Sequence, residues 1–461
     1  MISLAFHGAA RTVTGSKYLI TVNDRKILID AGIFQGRREL RRLNWEPLPF
    51  AGSDLDAIIL THAHIDHIGY LPRLIKDGFR GKVFCSAPTA ELAEISLLDS
   101  AHIQEEDANY RNKKKLSRHK KALPLYTVED AEDAIRMIHP VPFDNWESLN
   151  DEFRFRLAVV GHVLGAAGIE VGLNDNGRKT DIFFSGDVGR YGNPLTRNPA
   201  HPPDCEYMVC ESTYGGRLHA PEDPRATFIK LINDAVERKA VLLIPAFAVS
   251  RTQQITYLIN ELTRYGLVPP VELYLDSPMA ISATEIFCRY HSFHKVDIKK
   301  IGGPNCVLNG ERVHLCRKRK ESQKLNKLKG PAIIMSASGM LTGGRIMHHL
   351  MNRLGDPQTT VALAGYMAEG TLGRKIAEGA EEVRIHKQLF KVQAKIVKMR
   401  GLSGHADFYE MLHWLEDMEK APKRVFVTHG ELSQSEAMAE HLKTKRNWNC
   451  HIPTMGEVVE L

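Results

Sequence analysis

The chain has 461 residues, of which 43% are hydrophobic and 25% charged, with a formal net charge of +6. Roughly 150 residues per domain gives about three units, or two if one is large, and the balance is that of an ordinary globular protein. The longest apolar run, Val241 to Val249, is too short to span a bilayer, and Met1 to Ala10 lacks the charged start of a signal peptide. Collagen, coiled coil, bulk disorder and membrane spans are thereby excluded.

Residues 1 to about 210 read as short strands with loops: Lys26 to Asp30, Ala57 to Thr61, Leu157 to Val160 and Asp181 to Ser185 are apolar runs bounded by turn residues. A charged stretch near 104 to 134 reads as helical. From about 213 to 385 strand and helix alternate. Ala240 to Pro245, Val271 to Leu275, Pro331 to Met335 and Thr360 to Ala364 each precede a helix-like segment, which implies a mostly parallel sheet covered on both faces. From about 386 the texture changes: Val383 to His386 and Val392 to Val397 alternate like two-sided strands. A helix from Asp407 to Glu419, a strand Arg424 to Thr428 and a last helix follow. The expected division is 1–210 and 386–461 as one domain, with 211–385 inserted.

Seven cysteines, Cys85, Cys205, Cys210, Cys288, Cys306, Cys316 and Cys450, are scattered, odd in number and without a CxxC. Neither a disulfide framework nor a cysteine-based zinc site is expected, and a reducing cytoplasm fits. The histidines carry more. Apolar strands repeatedly end in a histidine or an acid: Asp30, His62-Ala-His64-Ile-Asp66-His67, His162, Asp187, Glu211 and His429. Functional groups gather at the carboxyl ends of strands, so these ends point to one shared site. Imidazoles with a carboxylate suit zinc or a similar metal. A turn can aim His62 and His64 one way and Asp66 and His67 another, which serves two ions. Asp187 is placed to bridge them, and His162 and His429 to complete the two sets. Asp30 is either a turn former or a carboxylate that orients a ligand from behind. Two such ions suit phosphoryl displacement and acyl hydrolysis alike.

His62-Ala-His64-Ile-Asp66-His67, with His162 and Asp187, resembles the metallo-β-lactamase fold. Glu211-Ser-Thr-Tyr-Gly-Gly, Leu402-Ser-Gly-His405-Ala-Asp and Thr428-His429-Gly resemble the three further motifs of the β-CASP nucleases. Ser336 to Arg345 and Gly365 to Arg374 look like runs of that group's short prokaryotic members. The resemblance implies an αββα metallo-β-lactamase sandwich carrying an inserted β-CASP domain, an α/β unit on a mostly parallel sheet. It also implies two Zn2+: His62, His64 and His162 on one, Asp66, His67 and His429 on the other, Asp187 between. Glu211 and His405 become an acid–imidazole pair beside them. The family's DNA-directed branch lacks the histidine that stands here as His429, so single-stranded RNA is the implied substrate.

His405 suits a general acid that protonates the departing 3′ oxygen, with Glu211 orienting it. The alternative is that Gly-His-Ala-Asp only starts a helix, and both can hold. Ser336, Ser338, Gly339 and Arg345 follow a buried-looking strand and open a helix. Such a turn can grip a phosphate or hold nothing; the resemblance favours phosphate, with Arg374 and Ser403 as further RNA contacts. Basic runs at 111–121 and 317–320 suit a phosphate backbone or simply a solvated face. The expected activity is zinc-dependent endonucleolytic hydrolysis of RNA by metal-bound hydroxide, leaving 5′-phosphate and 3′-hydroxyl ends. The rivals are a 5′-to-3′ exonuclease, a thioester or lactone hydrolase of the same fold, and an RNA-binding scaffold without catalysis. Monomer and homodimer are not separated by sequence.

Overall fold

The structure, a computed structural model, describes residues 1–114, 121–219, 223–296, 310, 312–365, 367 and 370–461. It divides into two compact units. The first comprises Met1–Gln35, Glu39–Leu218 and Gly404–Leu461; the second comprises Gly36–Arg38 and His219–Ser403.

The first unit is built on two seven-stranded sheets. In one, Ile2–Phe6, Tyr18–Val22 and Arg25–Ile29 form an antiparallel meander. Ala57–Ile59, Lys82–Cys85 and Ile138–Pro140 extend it in parallel, and Val458–Glu460 closes the far edge on Ile2–Phe6. In the other, Phe153–Val159, Ala167–Asp175 and Arg178–Phe184 are antiparallel, with Glu147–Ser148 at the edge. Tyr207–Glu211, Arg424–Thr428 and Cys450–His451 continue it in parallel.

Alternating residues of both sheets meet in one core: Leu4, Ile20, Ile27 and Ile29 from the first, Phe155, Leu157, Ile169, Ile182 and Phe426 from the second. Each such side chain contributes about 1.5–3 kcal/mol by leaving water, which outweighs the weak propensity of three- to five-residue strands. The helices begin at identifiable caps. Ser86 accepts the Thr89 N–H at the start of Ala87–Lys113, and Thr127 and Asp130 form a capping box on Val128–Arg136. Asp407 accepts two N–H groups at the start of Phe408–Leu415. The αββα sandwich implied by the sequence is present.

The second unit is a six-stranded sheet, all parallel, in the order Val313–Leu315, Glu272–Leu275, Ala332–Ser336, Val241–Pro245, Thr360–Leu363, Lys395–Lys398. Every residue of Val241–Pro245 is buried, as a strand covered on both faces requires. Leu242 and Ile244 face one core with Leu231, Ile255 and Ile281; Val241 and Leu243 face another with Ile346, Leu350 and Ile376.

The chain leaves this unit later than its texture suggests. Lys395–Lys398 pairs with Thr360–Leu363 as an edge strand of the parallel sheet, and the return to the first unit falls at 403/404 rather than 385/386. An edge strand is half solvated, so its alternation imitates a strand of an antiparallel sheet. Among the described residues no helix is long and apolar enough to cross a membrane.

Candidate metal centre

Strand ends of the first unit deliver the site. Arg25–Ile29 ends in Asp30, whose backbone takes the left-handed region (φ 59°), as does His429 (φ 49°) after Arg424–Thr428. Side chains other than glycine seldom sit there, and functional sites are where the exceptions collect. Asp30 is buried. Its carboxylate accepts the Thr61 N–H at 2.8 Å, the Thr61 hydroxyl at 2.9 Å and His67 Nδ1 at 2.7 Å.

Four ligand atoms converge on one side: those of His62, His64, His162 and Asp187, all within 4.8 Å of one another. His62 Nε2 lies 3.0 Å from His64 Nδ1 and 3.5 Å from Asp187 Oδ2; His162 Nε2 lies 3.6 Å from the same oxygen. Asp66, His67 and His429 form a second group. There His67 Nε2 stands 3.1 Å from His429 Nε2 and 3.5 Å from Asp187 Oδ1, and His429 Nε2 stands 3.7 Å from Asp66 Oδ2. Asp187 thus offers one oxygen to each group, and its buried Oδ1 has no hydrogen-bond partner.

The hydrogen bonds behind the imidazoles test whether a cation fits. His67 Nδ1 donates to Asp30. The Thr61 hydroxyl, spent on Asp30, is left to accept from His62 Nδ1 at 3.0 Å. The Thr213 hydroxyl donates to the His429 carbonyl at 3.0 Å and accepts from His429 Nδ1 at 3.1 Å. In each ring Nδ1 is engaged by an oxygen and Nε2 is turned toward the other donors, the orientation a metal-binding histidine needs. Burial first, then repulsion among the imidazoles, pushes His62 and His162 well below the ordinary histidine range, so both are neutral donors. Burial opposes ionisation of Asp66, but His429 and His67 hold it as a carboxylate. Imidazole nitrogens facing each other at about 3 Å, with a carboxylate oxygen lacking a hydrogen-bond partner among them, fit a pair of cations.

Beside these groups stands the acid–imidazole pair. Glu211, buried at the end of Tyr207–Glu211, accepts the Val188 N–H at 2.7 Å and the Thr213 N–H at 3.2 Å. Its Oε1 is 3.2 Å from His405 Nδ1. His405 is bridged to Gly189 through the backbone, and its ring lies 4.4 Å from that of His162. Burial would lower the His405 imidazole; the Glu211 and Asp187 carboxylates prevail and raise it to about 9.

The expected phosphate contacts in the second unit fare differently. Ser336 is buried and donates to the Asp276 carbonyl at 2.8 Å, so its hydroxyl is spent inside. Arg345 turns inward too: it donates to Asp276 Oδ1 at 2.7 Å and to the carbonyls of Cys316 and Arg317. Its role is to neutralise a buried carboxylate that also accepts from Ser322 and His349. A Cβ at Gly339 would stand 2.8 Å from the Phe247 ring, so this glycine serves packing. Ser338 is bonded to Thr342, Arg374 pairs with Glu378, and Ser403 is half-buried. Of the basic runs, Arg111 pairs with Asp107 and Arg317 with Glu285, while 115–120 lies outside the described residues. The sequence reading gave no role to Thr61 or Thr213. Both directly adjoin motif residues, and a hydroxyl beside a candidate ligand was the available signal.

Three family models match the chain in succession: the metallo-beta-lactamase superfamily over 11–209, the Beta-Casp domain over 252–376, and a Zn-dependent metallo-hydrolase RNA specificity domain over 390–453. Ribonuclease TTHA0252 of Thermus thermophilus is 32% identical over 455 residues, covering 98% of each chain. The chain belongs to the β-CASP ribonuclease family of the metallo-β-lactamase superfamily. An RNase J-like protein of Methanocaldococcus jannaschii is 28% identical over the whole of both chains. A transcription termination factor, FttA, of Methanosarcina mazei is 29% identical over 98% of this chain and 71% of its own length. A protein of unknown function from Enterococcus faecalis shares the fold, with a TM-score of 0.55 at 13% identity. Membership of this family accords with the nitrogen and oxygen donors gathered around Asp187.

Proposed function

We propose that this β-CASP protein is a two-zinc endoribonuclease acting on single-stranded RNA. The observation that carries the reading is Asp187, one carboxylate shared between two groups of imidazoles, with the Glu211–His405 pair alongside. His62, His64, His162 and Asp187 would hold one ion; Asp66, His67, His429 and Asp187 the other. Such a pair, when bound, polarises phosphoryl oxygens and lowers the pKa of water.

The rest of the chemistry falls to the chain. Asp30, Thr61 and Thr213 fix the ring orientations of His67, His62 and His429. Glu211 fixes Nδ1 of His405 and leaves Nε2 to hold the proton that goes to the departing 3′ oxygen. That assignment gives products with 5′-phosphate and 3′-hydroxyl ends. Relatives named as ribonucleases support RNA over a thioester or lactone. A cytoplasmic location is part of this reading; among the described residues no two cysteines are joined by a disulfide.

The test uses zinc-loaded protein on single-stranded RNA labelled at either end, with the 5′ end free or blocked. Internal cleavage that tolerates the block is expected, and His405→Ala should abolish it. Intact RNA at full zinc occupancy would overturn the reading, and cleavage that needs a free 5′ end would replace it with an exonuclease.

A further inference from the structure

The loop between Ile2–Phe6 and Tyr18–Val22 is fastened to the ligand turns at both ends. The Ala9 carbonyl accepts the His429 N–H at 2.7 Å, and the Ser16 N–H donates to the Asp66 carbonyl at 2.9 Å. His429 and Asp66 are both assigned to the same ion. The arms of the loop are pressed together: Ala9 N–H meets the Thr14 carbonyl at 3.2 Å, and a Cβ at Gly8 would fall 1.6 Å from the Gly15 carbonyl oxygen. Only Ala10 to Val13 remain as a crest.

Arg11 stands on that crest. Its backbone is held at φ 58°, a region side chains avoid unless the surroundings impose it. It is exposed, and among the described residues its guanidinium makes one long bond, 3.4 Å to the Ile452 carbonyl, and no ion pair. It stands two positions after Ala9, so its Cα is within about 7 Å of an atom that holds His429. A guanidinium with donors to spare, rigidly presented beside an assembly of metal donors, is suited to a phosphate oxygen.

We propose that Arg11 binds a backbone phosphate of the substrate next to the one cleaved. This rests on the ribonuclease reading and adds to it a residue outside the family motifs. A contact to one phosphate has two signatures: it contributes to the salt dependence of binding, and it strengthens substrate binding before any bond breaks.

The experiment compares Arg11→Ala, Arg11→Gln and Arg11→Lys, each also combined with His405→Ala so that the probe stays whole. Binding of a fluorescein-labelled oligoadenylate to zinc-loaded protein is followed by anisotropy across a potassium chloride series. The slope of log affinity against log salt should fall by about 0.7 for Ala and Gln and hold for Lys. With His405 intact, KM should rise roughly 10-fold for Ala and Gln while kcat holds. Gln keeps a neutral polar side chain there, and zinc content with melting temperature confirms that each variant is folded. Equal slopes and equal KM in all four proteins would overturn the assignment while leaving the ribonuclease reading intact. A parent protein that neither binds nor cleaves RNA would overturn both.

Discussion

Glu211 Oε1 lies 3.2 Å from His405 Nδ1, across 194 positions of sequence, and the same oxygen accepts the Val188 N–H. The carboxylate is therefore fixed by the main chain before it fixes the imidazole. Glu211→Gln keeps the shape but loses the charge that favours a protonated His405. Cleavage by the zinc-loaded variant should slow roughly 100-fold, the scale of a misdirected general acid. Single-turnover rates, with zinc content unchanged, are the measure; a rate equal to the parent would remove this pair from the mechanism.

Asp30 sits behind the ligands rather than among them. Asp30→Asn cannot accept at both oxygens, so His67 Nδ1 and Thr61 compete for what is left. Zinc affinity should fall about 10- to 100-fold, read by competition with a chromophoric chelator. Unchanged affinity would reduce Asp30 to a turn former.

Asp276 is the keystone of a buried ion network in the second unit, with Arg345, His349 and Ser322 as donors. Removing Asp276 leaves the Arg345 guanidinium without its counter-charge and the donors of His349 and Ser322 without their acceptor. Asp276→Leu should destabilise by about 3–5 kcal/mol, measured by denaturant unfolding, and soluble, fully stable protein would refute the network's importance.

Lys17 is buried between the rings of Phe34 and Tyr70, 4.5 and 4.8 Å from their centroids, and donates to the Gly15 carbonyl. Burial lowers its amine from the ordinary 10.5 to about 7. Between those values the unfolded chain binds a proton that the folded chain has released, so this group makes stability rise with pH across that window. Below about 7 both states are charged and the burial penalty is complete. Lys17→Met should thus raise the melting temperature most below pH 7, with the gain shrinking toward pH 10.5. A gain constant with pH would show that Lys17 keeps its charge throughout.

The candidate donors could be picked out because Asp30, His62, His162 and His429 follow apolar runs by one or two residues, with His64, Asp66 and His67 in the turn after His62 and Asp187 three residues after Phe184. The parallel sheet was legible from the alternation of strand and helix, whereas the sandwich came only from the resemblance of its motifs to a known family. What stayed hidden depends on partners distant in sequence. Arg345 looks like a phosphate ligand until Asp276, 69 positions earlier, is seen to occupy it. The burial of Lys17 likewise depends on Phe34 and Tyr70, 17 and 53 positions further along the chain. Lys395–Lys398 misled because solvation at a sheet edge, not strand direction, sets its alternation.

The pairing of Tyr207–Glu211 with Arg424–Thr428 has a consequence for biosynthesis. Ser212 and Thr428 are hydrogen-bonded though 216 positions apart, so the second sheet is left with a raw border until the ribosome has passed the whole of His219–Ser403. His429 arrives with that late strand. A nascent chain can therefore carry six of the seven grouped donors, His62, His64, Asp66, His67, His162 and Asp187, yet lack the one that completes them.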